Sequence, residues 1–361
     1  MRALYSLLVV MSAACLTPLA LGDRVELRDG APAVQGHIRT INDDGVTIEV
    51  EGASIRTISW DRIRDISPPH KQADMAALLD LSLNLWRGRT RVERGDFELA
   101  ESIFAENYGR LLGERSETAL VVMEGYLRCL LARGANNAAV IPALEVARLR
   151  QAGVTTESYR ALPAVYDSAT ALCPYVPPFW VPTATLPKLV RQLNTYDAHN
   201  DAIVEAIADA YRTAAQAQAG GKPSETVVKS SSDHAGVRLM RSVLNVDPRN
   251  EAELVKMSTA IGPWAEAWAR YGLGQAQLAS DLETTRQEGL LNLLRVPAQW
   301  GQSQPYLSGL ALAEVNKSLA ETGRVEDADA VRAELQRAYP NHPIVATLPS
   351  GAATQATKGD S

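Results

Sequence analysis

The spacing of apolar residues changes once, near residue 70, and that change divides the chain into two kinds of structure. Between Asp23 and Ser67, β-branched and other apolar residues recur in short alternating runs: Val25 with Leu27, Val34 through Ile41, Val46 through Val50, and Ile55 through Ile58. A period of two places every second side chain on one face of a strand. Asp-Gly, Asp-Asp-Gly and Glu-Gly sequences separate the runs and supply the positive φ that tight hairpin turns require. Four or five such strands within roughly 45 residues predict a small curled sheet or barrel over residues 23–67. Its single apolar face must close on itself or dock on something else. Trp60, in "ISWDRIRDI", is then either a plug for one end of that sheet or an aromatic contact for a partner.

Pro68 and Pro69 end the strand region, because neither has an N–H for a ladder and each pushes its predecessor towards extended backbone. Beyond them the period becomes 3.6. Leu78, Leu79, Leu85 and Trp86 recur over 74–92, and Leu120, Met123, Leu127, Leu130 and Leu131 over 117–133, at helical spacings. With only 6% aromatic residues and abundant Ala and Leu, the remaining length is predicted to be mainly α.

Between those helices, "RGDFELAESIFAENY" carries Gly95, Phe97, Ala100 and Phe104. The segment "TGRVEDADAVRAELQRAYPNHP" carries Gly323, Val325 and Ala328 at the same relative positions, followed by Pro340. This spacing resembles the turn and second helix of a tetratricopeptide repeat. Small residues let two helices of a hairpin approach, and the proline stops the second helix. Leu312, Val315 and Leu319 supply the inward positions of the last unit's first helix. A third unit begins at "IGPWAEAWARYGLGQAQLAS", where Trp268, Tyr271, Gly272 and Gln275 approximate the first-helix pattern. Asn316 and Arg332 depart from it, standing where a small residue and an aromatic are usual. The resemblance implies a superhelix of stacked helical hairpins, and the N-terminal region resembles the small SH3-like β-barrel modules of exported bacterial proteins.

The chain is thus expected to divide into a β module at 23–67, a helical block at 72–216, a flexible linker at 217–234, a second helical block at 235–345 and a disordered tail at 346–361. The linker rests on the Gly, Ser, Pro and Lys content of "AQAGGKPSETVVKSSSD". "LCPYVPPFWVPTATLP", residues 172–187, is a long Pro-aromatic loop. A loop of that length is either a structural wrap or a functional element, with Tyr175, Phe179 and Trp180 as its candidate site residues.

Residues 1–22, with one Arg, an apolar run from Ala3 to Met11 and small residues around Leu21, read as a secretory signal peptide cut before Asp23. The expected location is periplasmic or secreted, with lipid attachment at Cys15 as a competing route. The apolar run is shorter than the ~20 residues of a membrane span. Cleavage removes one Arg and no acid from 36 basic and 42 acidic residues, taking the formal net charge from −6 to −7. That balance, without a basic tail, argues against nucleic acid as a partner. Cys129 and Cys173 would remain. They suffice for one disulfide in an oxidising compartment, while Cys129 sits equally well as a buried thiol in an apolar helix.

The five histidines lie on separate segments without metal-ligand spacing. "GLGQAQ" at residue 272 lacks the third glycine and the preceding strand of a dinucleotide site, and reads as a helix-packing pair. No nucleophile elbow occurs, and "SSSDH" is too local for a catalytic triad. The expectation is therefore a non-catalytic protein without metal or cofactor. It would bind another protein or an extended peptide in the cell envelope, with the β module as a carrier of polymer or glycan binding in the alternative case. The repeat resemblance puts the concave-face contacts at Glu266, Ala269, Leu273, Gln277, Ala313, Lys317 and Glu321, with Trp60 as the aromatic contact of the β module.

Overall fold

A computed structural model of the chain describes residues 22–50, 52, 54–68, 74–220 and 232–348. The signal-peptide segment and Cys15 lie outside them, as do most of the expected linker and tail.

The β module has strands β1 (Asp23–Leu27), β2 (Val34–Asn42), β3 (Gly45–Glu49), β4 (Ile55–Ile58) and β5 (Ile63–Ser67). All neighbours pair antiparallel in the order β4-β3-β2-β1-β5. A 3-10 turn at Trp60–Arg62 links β4 to β5. The alternation works as expected: Val25, Val34, Ile38, Val46, Ile48, Ile58, Ile63 and Ile66 are all buried.

Twelve α-helices follow among the described residues. They are α1 (Met75–Arg94), α2 (Phe97–Leu111), α3 (Glu117–Ala132), α4 (Asn136–Gln151), α5 (Leu186–Thr195), α6 (Ala202–Gly220), α7 (Ala235–Leu244), α8 (Glu251–Ile261), α9 (Pro263–Leu278), α10 (Glu283–Trp300), α11 (Pro305–Glu321) and α12 (Val325–Ala338). Residues 217–220 of the expected linker belong to α6, whose Ala-rich sequence sustains the helix to Gly220.

Two runs of antiparallel neighbours, α1 to α4 and α8 to α12, make up most of the molecule, and α1 also touches α3 as α9 touches α11. Gly95 and Gly323 both terminate a turn at positive φ, 85° and 79°, the conformation that glycine adopts without steric cost. The Phe104 ring of α2 lies between Gly88 of α1 and Gly125 of α3, where added methyl groups would approach it to 2.9 and 2.5 Å. The Gly pair of "GLGQAQ" is likewise a packing device. Gly272 faces the Val243 carbonyl at the end of α7, and Gly274 faces Leu293 and Gly289 of α10.

The apolar face of the sheet is closed by α1. Leu78, Leu81 and Leu85 are buried beside it, and the Ser82 hydroxyl donates to the Ile63 carbonyl. Thr118 at the start of α3 accepts from the Trp60 amide at 3.1 Å and donates to the Asp44 carbonyl at 2.7 Å. Asp61 is fully buried. It accepts from Ser59 at 2.7 Å and Ser158 at 2.8 Å and pairs with Arg89 at 3.0 Å.

Residues 152–185 join α4 to α5 with no helix, and much of this segment is buried. Its polar backbone is satisfied by side chains of the helices it crosses. Arg128 donates to the Pro163 carbonyl at 2.9 Å, Asn136 to the Tyr175 carbonyl at 2.8 Å, and Tyr211 to the Val176 carbonyl at 2.6 Å. Phe179 packs on Tyr271 of α9 and Trp180 on Tyr211 of α6, with ring centroids 4.6 and 6.0 Å apart. The Pro-aromatic loop is a structural wrap that joins the two helical runs, with the Phe179 and Trp180 rings inside and Tyr175 half-buried.

Candidate functional site

Most of the contact positions expected from the sequence are covered by the chain's own helices. Ala269, Leu273 and Gln277 are buried because α9 is surrounded by α7, α8, α10 and α11, so these three side chains do not line an open surface. Gln277 is held by Glu251 at 3.3 Å and Asn292 at 2.8 Å. Glu266 is half-buried beside Arg270, at 3.7 Å. Ala313 is half-buried, while Lys317 and Glu321 are exposed on α11. Trp60 has no exposed surface and donates its indole N–H to the Asn42 carbonyl at 2.8 Å; it is a core residue, and the contact role fails on burial.

Cys129 and Cys173 are separate buried thiols, not a disulfide. Burial pushes each up to about 12, so neither is a thiolate nucleophile near neutrality. Among the described residues no three His, Cys, Asp or Glu side chains are placed to hold a metal ion.

Two of the clefts among the described residues bring aromatic and cationic side chains together. The larger, about 590 Å³, lies where α2, α3, α4 and α5 meet the end of the wrap. Tyr108 and Tyr126 form one wall, with rings 5.1 Å apart. Arg133 and Asn137 stand at the α3–α4 turn, and Lys188 and Gln192 on α5. The Tyr108 hydroxyl is buried without a hydrogen-bond partner. Burial and the nearby Glu145 charge raise its pKa well beyond the ordinary phenol value, which keeps it a neutral donor. Arg133 is engaged by Glu101 at 2.8 Å, whereas Lys188 has no carboxylate within ion-pair distance among the described residues.

Buried ion pairs hold these walls. Arg148 grips Glu145 at 2.9 Å, and Glu145 also accepts from Tyr196 at 2.9 Å and from the Gly113 amide at 3.2 Å. Glu124 joins Arg128 and Arg150 at 2.7 and 3.0 Å. Their many hydrogen bonds are what makes buried charge tolerable.

The second cleft, about 470 Å³, lies on the seam between the β module and α1 and is lined by Arg24, Arg28, Asp29, Arg64 and Trp86 among others. Sequence reasoning missed it because its parts come from β1, β5 and α1, dozens of residues apart. Trp86 had counted only as an apolar position of a helix.

No protein-family model matches this chain, and neither a curated protein nor a solved structure matches it.

Proposed function

We propose that this protein is an exported, non-catalytic scaffold that holds another protein, as an extended segment, through its stacked helical hairpins. The observation that carries this reading is the 590 Å³ cleft among α2, α3, α4 and α5. Its tyrosine wall offers rigid amphipathic area, and the Tyr108 hydroxyl, the Asn137 amide and Lys188 supply donors for a peptide's carbonyls and carboxylates. Glycine-mediated packing at Gly88 and Gly125 supports the tetratricopeptide-like reading of the hairpins. The composition of residues 1–22 supports export.

The test is site-specific photocrosslinking. A crosslinker replacing Gln192, at the rim of the cleft, is expected to capture a discrete protein from the native envelope, and Tyr126→Ala with Lys188→Glu to abolish that capture. Equal capture by the double variant would remove the cleft from the function. A second reading, polymer binding through the β module with the helices as support, is favoured by the arginine-lined seam cleft.

A further inference from the structure

In this acidic protein positive charge gathers at the seam. Arg24 is paired with Glu26 at 3.3 Å, and Arg89 is shared among Asp29, Asp61 and Glu93. Arg28, Arg64 and Arg87 have no carboxylate within ion-pair distance among the described residues. The Arg28 guanidinium lies 5.0 Å from the centre of the Trp86 ring, gives one long hydrogen bond to Ser82 at 3.4 Å, and has a buried Nε without a partner. Burial and the like charges of Arg64, Arg87 and Arg89 outweigh the nearby Asp29 carboxylate and lower its pKa from the usual arginine value. Glu26 and Asp29 also line the cleft but are engaged by Arg24 and Arg89, so Arg28 and Arg64, with Arg87 close by, leave an excess of positive charge that an anion would relieve.

We propose that the seam cleft is a binding site for an anionic polysaccharide, with Arg28 and Arg64 holding its carboxylate or phosphate groups, Arg87 adding positive charge beside them and Trp86 packing against a sugar ring. The inference rests on the second reading above, in which the β module carries a polymer, and is independent of the helical scaffold. A guanidinium matches a carboxylate or phosphate through paired N–H donors. A volume of about 470 Å³ takes a segment of chain in preference to a lone ion. Single-stranded nucleic acid fits poorly, since its binding uses successive aromatic platforms, whereas here one indole stands alone with Arg28 over it. An acidic peptide is the competing ligand. Strand β1, which borders the cleft, is paired on both sides by β2 and β5 and offers no edge for main-chain recognition, while β5 ends the sheet, so polyglutamate is one arm of the test.

Titration calorimetry on the whole chain tests this with polygalacturonate, a phosphomannan, neutral dextran, single-stranded DNA and polyglutamate as separate probes. Binding of polygalacturonate or the phosphomannan, weakened by salt, is expected, and the stronger of the two identifies the anionic group. Arg64→Gln with Arg87→Gln changes two exposed side chains without ion pairs, so folding is expected to persist, as a melting curve will check. Affinity for the bound polymer should fall by about tenfold or more, with no change for Arg337→Gln in the exposed pair with Glu334 on α12. Undiminished binding by the double variant overturns the site while leaving polymer binding by the β module standing. Preference for DNA or polyglutamate overturns the ligand class. If no anionic polymer binds, the inference fails, and the dextran arm shows separately whether the polymer reading survives.

Discussion

Gly125 has no room for a methyl group: a Cβ there would lie 2.5 Å from both the Phe104 ring and the Tyr159 hydroxyl. Gly125→Ala is therefore expected to cost about 1–3 kcal/mol by overpacking, measured as a lower urea midpoint. Asn316 explains its own departure from the repeat pattern, since its buried amide donates to the Ala328 carbonyl at 2.6 Å and ties α11 to α12. His342 is another buried tie. Its ring stacks on Tyr306, bonds the Tyr306 carbonyl through Nε2 at 2.9 Å and accepts from the Ile344 amide at Nδ1. The ring is thus the neutral tautomer, and burial lowers its pKa to about 4. The unfolded chain binds the proton first on acidification, so this residue's contribution is fully present above the ordinary histidine pKa of ~6.5 and lost as pH falls towards 4. The loss approaches ~3 kcal/mol. Urea midpoints between pH 4 and 7 should show a slope in the wild type that His342→Phe reduces.

At the level of elements, the 3.6 period placed α1 and α3 close to their observed limits, because one apolar stripe per helix is visible in a single segment. The wrap over residues 152–185 was not legible in that way. Proline and aromatic residues mark a non-helical segment, but only the presence of Tyr271 and Tyr211 on distant helices makes Phe179 and Trp180 core residues. Phe179→Ala is expected to cost about 3–5 kcal/mol, against little effect if the ring were a surface contact. Denaturant titration distinguishes the two. The seam cleft was equally hidden, because Arg28, Arg64 and Arg87 become neighbours only when β1, β5 and α1 pack together.

The β module and the helices share one hydrophobic core. The sheet is closed by Leu78, Leu81 and Leu85, and Asp61 is buried between the 3-10 turn, Arg89 and Ser158. Calorimetry should find that residues 23–67 melt together with α1 to α4. A chain lacking 23–67 should melt lower and aggregate, because it exposes the apolar stripe of α1; an unchanged melting temperature would show that the module is independent. The sequence by itself determined the alternation of the strands, the helical stripes and the glycines of the turns, since each is a local demand of backbone geometry and side-chain period. Only the tertiary structure decided that α9 is enclosed, that Trp60 is core, that the two thiols stay apart and that uncompensated arginines meet at the seam. Burial and charge proximity are sums over residues distant in the chain, and no local pattern carries those sums.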